Sequence, residues 1–252
     1  MRNKSIAAIL AVFLLTSGCL TTGEKKPRLC MYIGVYISGS FAKSSYFEDS
    51  LDFLAHYIYS HLNGLGELER PQTLFVSSIG GASADEPKTF YPIQTFQNKS
   101  VEDIRARLTE IFPRQKVNRF TDYNAFFEQV ALHIKNKNLL LRPISIVMLS
   151  DGIPDISNKD ATPFESLAVK PLETLSRNVT LRLLYTDAVV ATRWQTEVKR
   201  KRVKVWTQDA EVMLTWKDPD IFLPETPLKS QERFFSWLKD NVNFGVRARV
   251  VN

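Results

Sequence analysis

Two patterns of hydrophobic and polar residues alternate along this chain. In one, apolar and β-branched residues dominate a short run, which is typical of a strand buried on both faces of a sheet. This pattern predicts strands at residues 30–37, 72–80, 144–149 and 179–187. In the other, apolar residues recur at the spacing of one helix face. Because the two patterns alternate, we predict one α/β domain with a doubly wound, mostly parallel sheet and helices on both faces.

The helical spacing is clearest in four segments, at residues 46–62, 100–112, 121–135 and 231–242. Ser100 and Asp103 stand at the start of the second segment, in a variant of the capping box. Weaker patterns predict a broken helix around Pro171 and a helix over 192–202. Residues 203–214 are interpreted as an edge strand pair, or as one strand followed by a turn.

The first 18 residues have the organisation of an export signal. Arg2 and Lys4 precede an apolar stretch, and small residues stand directly before Cys19. The stretch is shorter than the ~20 residues that a membrane-spanning helix needs. We therefore predict a signal peptide, a polar linker and a folded domain, over residues 1–18, 19–28 and 29–252.

The ending "LTSGC" resembles the lipobox of bacterial lipoproteins, although Thr16 stands where that family prefers leucine. The resemblance implies that Cys19 becomes the N-terminus and carries acyl chains, palmitate among them, that anchor the protein to a membrane. In lipoproteins of bacteria with two membranes, an aspartate after the cysteine favours the inner membrane. Leu20 occupies that position here, which favours the outer membrane and leaves the periplasmic or surface face open. An ordinary signal peptide, or an uncleaved anchor, is the alternative.

The chain has two cysteines, Cys19 and Cys30. If Cys19 is acylated, Cys30 has no partner, and no disulfide supports the fold. Cys30 stands in an apolar run and is predicted to be a buried small side chain rather than a reactive thiol.

The net charge of +6 falls to 6 − 2 = +4 once the two cations of the signal are removed. Such a mild excess suits solubility as well as an anionic envelope. Five cations cluster in one run, namely Lys199, Arg200, Lys201, Arg202 and Lys204. The run is either a solvated face or a contact for lipid headgroups, polysaccharide or an acidic partner. An export signal disfavours nucleic acid, although Trp206 stands beside the run.

Small polar residues follow two of the predicted strands and precede one predicted helix. These are "SGS" at 38–40, "SDGIPD" at 150–155 and "TDYN" at 121–124. In a doubly wound sheet the loops after the strands share one rim. We therefore expect four side chains to meet there: Ser38, Ser40, Thr121 and Asp151.

In order and spacing, these segments resemble the von Willebrand factor A domain over residues 29–245. That family binds magnesium or manganese at a metal-ion-dependent adhesion site, and the resemblance implies that Ser38, Ser40, Thr121 and Asp151 are its ligands here. Tyr36 stands where the family has its first aspartate. Such dications are usually held by one or two carboxylates, and a phenol with a pKa near ~10 stays neutral. We expect a degenerate site, with Mg²⁺ or Mn²⁺ as an open alternative.

Catalysis finds little support in the sequence. His56 and His61 are five residues apart on one predicted helix, so they do not share a face, and His133 stands alone on another. The segment "ISGSF" lacks the flanking glycines of a Gly-x-Ser-x-Gly elbow. We interpret the chain as a non-enzyme, with a serine hydrolase as the alternative.

The expected function is therefore that of a lipid-anchored envelope protein. Its domain mediates protein interaction or assembly through the rim, with an envelope protein as the partner. A rival interpretation is a scaffold with an inactive metal site that binds anionic envelope components through residues 199–204.

Overall fold

The computed structural model describes residues 26–37, 39–80, 88–114, 122–154 and 164–243. Within these residues one sheet contains β1 Cys30–Tyr36, β2 Thr73–Ile79, β3 Tyr91–Pro92, β4 Ile144–Leu149, β5 Val179–Thr186 and β6 Lys204–Asp209. The strand order across the sheet is β3-β2-β1-β4-β5-β6. All neighbouring strands are parallel except β2 and β3. The predicted α/β class with a doubly wound, mostly parallel sheet is confirmed.

The strands are connected by α1 Gly39–Lys43, α2 Tyr46–Asn63, α3 Val101–Ile111, α4 Tyr123–Asn136, α5 Lys170–Glu173, α6 Ala188–Thr196 and α7 Ala210–Leu214, and α8 Glu232–Asn241 follows. Short 3₁₀ turns occur at Leu65–Glu67, Ile93–Thr95, Thr215–Lys217 and Leu228–Ser230. No helix in this described part of the chain is both long enough and apolar enough to cross a membrane.

Helices cover both faces of the sheet, as predicted. On one face, Tyr32 of β1 hydrogen-bonds to His133 of α4 at 2.9 Å, and Gly34 leaves no room for a Cβ beside Phe126 of the same helix. On the other face, Arg182 of β5 donates to the carbonyl of Val242, just beyond α8. Side chains alternate across a strand, so the register places Arg182 on the opposite face from Tyr32.

The predicted capping box is confirmed at the start of α3. The Asp103 N–H donates to Ser100 Oγ at 3.1 Å, and the Ser100 N–H donates back to Asp103 Oδ2 at 3.3 Å. At the start of α4, Asp122 Oδ1 accepts the N–H of Ala125 at 2.9 Å. In both places a short polar side chain satisfies a backbone N–H that the first turn leaves unpaired.

Two boundaries near the C-terminal half differ from the prediction. The helix predicted over 192–202 is α6, which begins earlier because Asp187 caps it by accepting the Val190 N–H at 2.7 Å. It ends at Thr196, where the Arg200 guanidinium donates to the carbonyls of Trp194 and Gln195. Residues 203–214 contain one strand, β6, followed by the short helix α7 rather than a strand pair.

The predicted signal peptide and Cys19 lie outside the described residues. The described chain begins at Lys26 in an exposed, irregular segment, which is the end of the predicted linker.

Candidate functional site

The carboxyl ends of β1 and β4 meet at one edge of the sheet, which we call the rim. Ser40 lies at the start of α1, just after β1, and Asp151 lies two residues beyond the end of β4. Ser40 Oγ donates to Asp151 Oδ2 at 2.5 Å across 111 positions of sequence. Two of the four predicted rim residues are thus brought together by the fold. The other two, Ser38 and Thr121, lie outside the described residues.

The turn that carries Asp151 is held by hydrogen bonds between side chains and backbone groups. Asp151 Oδ1 accepts the Ile153 N–H at 3.2 Å, and Ser150 Oγ accepts the Gly152 N–H at 3.0 Å. The Trp194 indole of α6 donates to the Gly152 carbonyl at 2.7 Å. Gly152 has a φ of +77°, and a Cβ there would stand 2.9 Å from a methyl group of Val190. Glycine is therefore strongly favoured at this position of the turn.

Tyr36, which stands where the related family has its first aspartate, is buried in an aromatic layer. Its ring stacks on Tyr123 with 6.1 Å between centroids, and it packs against Phe41. The Tyr123 hydroxyl hydrogen-bonds in turn to Ser150 Oγ at 2.5 Å. The end of β1 therefore packs through the Tyr36 ring on Tyr123, whose hydroxyl contacts the turn after β4.

An open cleft of about 220 Å³ lies beside Ser40 and Asp151. Four acids line it: Asp151, Asp187, Asp209 and Glu211. Burial raises the pKa of the Asp151 carboxyl, and the nearby Asp187 raises it further, whereas the hydrogen bonds from Ser40 and Ile153 lower it. The cleft is consequently an acidic surface in which Asp151 pays a desolvation cost that no cation of the described chain offsets.

Three of these acids were not predicted from the sequence. Asp187 caps α6, Asp209 caps α7 by accepting the Glu211 N–H at 2.8 Å, and Glu211 accepts the Tyr46 hydroxyl at 2.9 Å. A signal was present, because an aspartate stands within two residues of the end of β4, β5 and β6, in "SDG", "TDA" and "QDA". Three adjacent parallel strands that end this way predict an acidic rim.

The described part of the rim contains one hydroxyl and one carboxylate of the predicted magnesium or manganese ligands, on Ser40 and Asp151. Asp151 is the one rim carboxylate in the predicted set, and its Oδ2 accepts a hydrogen bond from the Ser40 hydroxyl, while Tyr36 places a buried ring where the related family has its first acid. Within the described residues no group of three or more His, Cys, Asp or Glu side chains could hold a metal ion. Because Ser38 and Thr121 lie outside the described residues, binding of Mg²⁺ or Mn²⁺ at the rim stays a prediction from the resemblance.

The five cations of the predicted basic run have different environments. Arg200 is half-buried, burial lowers its pKa, and its guanidinium is occupied by the carbonyls at the end of α6. Lys204 begins β6 and is also half-buried. Lys199, Lys201 and Arg202 are exposed, and the backbone N–H groups of Lys201 and Arg202 both donate to Glu173 at the end of α5.

None of the three histidines is placed to act on Ser40. His56 packs between Trp216 and Phe222, and His133 stacks on Phe90. His61 lines a second cleft, of about 320 Å³, at the opposite edge of the sheet, where burial lowers its pKa to about 4. A serine nucleophile of the Ser–His type needs a histidine within hydrogen-bond reach. The hydrogen-bond partner of Ser40 is instead the Asp151 carboxylate.

Comparison with known proteins gives distant structural likenesses, among them the following two. The VWA domain of SpRpn10 is 14% identical, with a TM-score of 0.44 over 75% of this chain and 95% of that domain. Proximal thread matrix protein 1 from the mussel byssus is 11% identical, with a TM-score of 0.43 over 75% of this chain and 46% of its own. No protein-family model matches the chain, and no curated protein sequence matches it. At these scores neither likeness assigns the chain to a family, and the fold class stands on the observed sheet.

Proposed function

We propose that this protein is a lipid-anchored, non-catalytic envelope protein that binds a protein partner through the rim. The observation that carries the proposal is the contact between Ser40 and Asp151, which opens onto an acidic cleft. Ser38 and Thr121, which match the same adhesion-site pattern of von Willebrand factor A domains, complete the binding surface in this proposal.

The chemistry of the cleft favours a cationic side chain on the partner. Four acids line the cleft, and burial together with Asp187 raises the pKa of Asp151. A lysine or arginine that entered the cleft would compensate this charge in a partly desolvated place, where a charge-assisted hydrogen bond is strongest. Binding in this way needs no resident metal, since the partner brings the positive charge.

Binding is favoured over catalysis because the Ser40 hydroxyl lacks the surroundings of a nucleophile. Its partner, Asp151, also accepts hydrogen bonds from the Ile153 N–H and the Ser150 side chain, and none of the three described histidines stands beside it as a base. Loss of labelling by a fluorophosphonate probe in a Ser40→Ala variant would support the serine hydrolase instead.

The anchor remains part of the proposal, with the outer membrane as its location. It rests on the charged start, the short apolar stretch and the "LTSGC" ending. Mass spectrometry of the purified protein should show acylation of the chain that begins at Cys19, and Cys19→Ala should abolish it. Equal processing and membrane retention of both proteins would contradict the anchor.

The rim is tested by site-specific photo-crosslinking in the source cells. A photo-reactive residue in place of Ile153, which is 48% exposed beside Asp151, should give a discrete crosslinked species. The same residue in place of Leu132, which is 58% exposed on α4, is the matched control and should not give that species. Asp151→Ala should weaken the crosslink at position 153. An identical crosslink from both positions, or one indifferent to Asp151→Ala, would overturn the assignment of the rim.

A second candidate function is the scaffold that binds anionic envelope components through its basic run. Lys199, Lys201 and Arg202 favour it, because their side chains are exposed and no ion pair within the described chain uses them. The two functions are compatible, since the basic run leads into the start of β6 at Lys204 and the rim lies at the other end of the strands.

A further inference from the structure

The edge of the sheet opposite the rim is formed by the amino ends of the parallel strands. Three segments meet there, at residues 26–29, 135–143 and 174–178, and we call them together the basal face. Backbone hydrogen bonds of 2.9 Å join them: Cys30 N–H to the Pro143 carbonyl, Leu141 N–H to the Leu175 carbonyl and Ile144 N–H to the Asn178 carbonyl. The basal face is thus one continuous surface built on the ends of β1, β4 and β5.

The three segments of the basal face contain cations and no acid, and the acids of the adjoining cleft are Glu69 and Glu67, the second of which pairs with Lys239. Its three segments have no Asp or Glu, and they contain Lys26, Arg28, Lys135, Lys137, Arg142 and Arg177. Five of these six cations are exposed, and Arg142 is half-buried. None of them takes part in an ion pair within the described chain. Positive charge that the fold does not use is available to an anionic partner.

Two leucines project among these cations. Leu140 is 45% exposed and Leu141 is 77% exposed. Leu141 has a φ of +63°, a conformation that its N–H hydrogen bond to Leu175 helps to hold. Beside it, Arg28 and Arg177 line the same shallow hollow. Single exposed apolar residues are common, but an adjacent pair within a cluster of unpaired cations is the pattern of a surface that inserts between lipid headgroups.

The predicted anchor would hold this face close to a membrane. Cys19 precedes Lys26 by seven residues, so an extended connection reaches at most about 25 Å. The exposed cations Lys199, Lys201 and Arg202 lie before β6 and extend the positive charge along the same edge.

We propose that the basal face lies against anionic lipid headgroups, with Leu140 and Leu141 inserted among them. This rests on the lipid anchor proposed above and assigns the orientation of the anchored domain. The strands run away from the membrane, and β4 alone spans about 20 Å, so the Ser40–Asp151 cleft faces the partner rather than the lipid. An acidic protein could also meet the cations, but it would not account for the leucines or the short tether.

Fluorescence of the acylated, full-length mature protein in lipid vesicles tests the orientation. An environment-sensitive fluorophore is attached to Leu141→Cys or, as the matched control on the rim side, to Val189→Cys, where the native side chain is 70% exposed. Cys30 is fully buried and Cys19 is acylated in the proposal, so the introduced thiol is the one labelled. Vesicles of phosphatidylcholine are compared with vesicles that also contain phosphatidylglycerol.

In the anionic vesicles we expect a blue shift and quenching by brominated lipid at position 141 and neither at position 189. Added salt should weaken the signal, and the double variant Arg28→Glu/Arg177→Glu should shift it towards its value in water. A protein that sediments with the vesicles while positions 141 and 189 give the same water-like signal would overturn the orientation and leave the anchor intact. A signal at 141 that needs an added acidic protein rather than anionic lipid would also overturn it. A protein that does not sediment with either vesicle would contradict the anchor, and the orientation with it.

Discussion

The rim and the basal face lie at opposite ends of the same strands and carry opposite charge, but their charges have different origins. Most of the rim's acids have a structural role. Three aspartates each cap a helix by accepting a backbone N–H, namely Asp122, Asp187 and Asp209. In a doubly wound sheet the helices begin where the strands end, so acids collect at that edge for structural reasons. An acidic rim alone is therefore weak support for a binding site.

Asp151 differs from the other strand-terminal aspartates. It caps no helix of the described chain, and its oxygens accept the Ser40 hydroxyl and the Ile153 N–H. The basal cations likewise differ from Arg182 and Arg200. The guanidinium groups of these two arginines donate to backbone carbonyls, whereas the basal cations form no ion pair within the described chain. Charges that local structure does not explain are thus few at the rim and many at the base. This distinction, more than the sign of the charge, identifies the surfaces to test.

The largest effect is expected from Tyr36→Asp, which would convert the aromatic layer of the rim into the missing acid. Loss of the buried ring beside Tyr123 should lower the free energy of unfolding by about 3–5 kcal/mol. If the new carboxylate and Asp151 together bind Mg²⁺, the ion should return about 2.7 kcal/mol at a hundredfold excess over Kd. Thermal melts with and without millimolar Mg²⁺ measure both the loss of stability and its recovery on metal binding.

Tyr36→Ala is the matched control, because it removes the ring without adding a carboxylate and should melt equally with and without Mg²⁺. In the double variant Tyr36→Asp/Asp151→Ala the Mg²⁺ response should disappear. A large Mg²⁺-dependent shift in the natural protein, lost in Asp151→Ala, would show that the rim binds metal without the first acid.

A smaller effect, confined to acid pH, is expected from His61→Gln at the basal end. His61 accepts a hydrogen bond from Asn243 and bonds to the Glu69 carbonyl, and burial lowers its pKa from 6.5 to about 4. Between these values the unfolded chain binds a proton that the folded chain does not, so stability falls as the pH falls from 6.5 towards 4. The loss is on the order of 3 kcal/mol.

Glutamine keeps one donor and one acceptor but does not titrate. Urea unfolding at several pH values should therefore show a flatter decline for His61→Gln than for the natural protein. The same unfolding series on a His133→Gln variant provides the comparison, because His133 is only half-buried beside Tyr32. Parallel declines in the natural protein and His61→Gln would contradict the assignment of the buried histidine.

Much of the fold was accessible from the sequence, because hydrophobic pattern and capping residues are local signals. Strand β4 matches its predicted bounds, and the Ser100–Asp103 box lies where the spacing indicated. The end of α6 was missed because it depends on a tertiary feature, the fold-back of Arg200 onto the last carbonyls. The basal face was missed for a similar reason: its segments are far apart in sequence, and only the strand order brings them together.

The candidate site was predicted in part. The pairing of Ser40 with Asp151 follows from the rule that the carboxyl ends of parallel strands share an edge. The burial of Tyr36 does not, because a tyrosine at the end of a strand can point its ring inward or its hydroxyl towards solvent. That choice is made by Tyr123 and Phe41, which supply the ring's neighbours.

The smallest effect is expected from Asp151→Asn, with a pH dependence opposite in sign to that of His61. Burial raises the pKa of Asp151, so the folded chain keeps a proton that the unfolded chain has already released, and stability falls as the pH rises through this interval. Asparagine keeps the shape and can still accept the Ile153 N–H, but it carries no charge to desolvate. The variant should therefore equal or slightly exceed the natural protein near pH 7, by less than about 1 kcal/mol, and lose that advantage at low pH. Urea unfolding measures the difference, and Asp187→Ala is the control, because it removes the side-chain oxygen that caps α6 and should be destabilising at neutral pH. If Asp151→Asn proved as destabilising as Asp187→Ala, Asp151 would be one more structural acid of the rim. If instead it left stability unchanged and abolished the crosslink at position 153, its carboxylate would serve the partner rather than the fold.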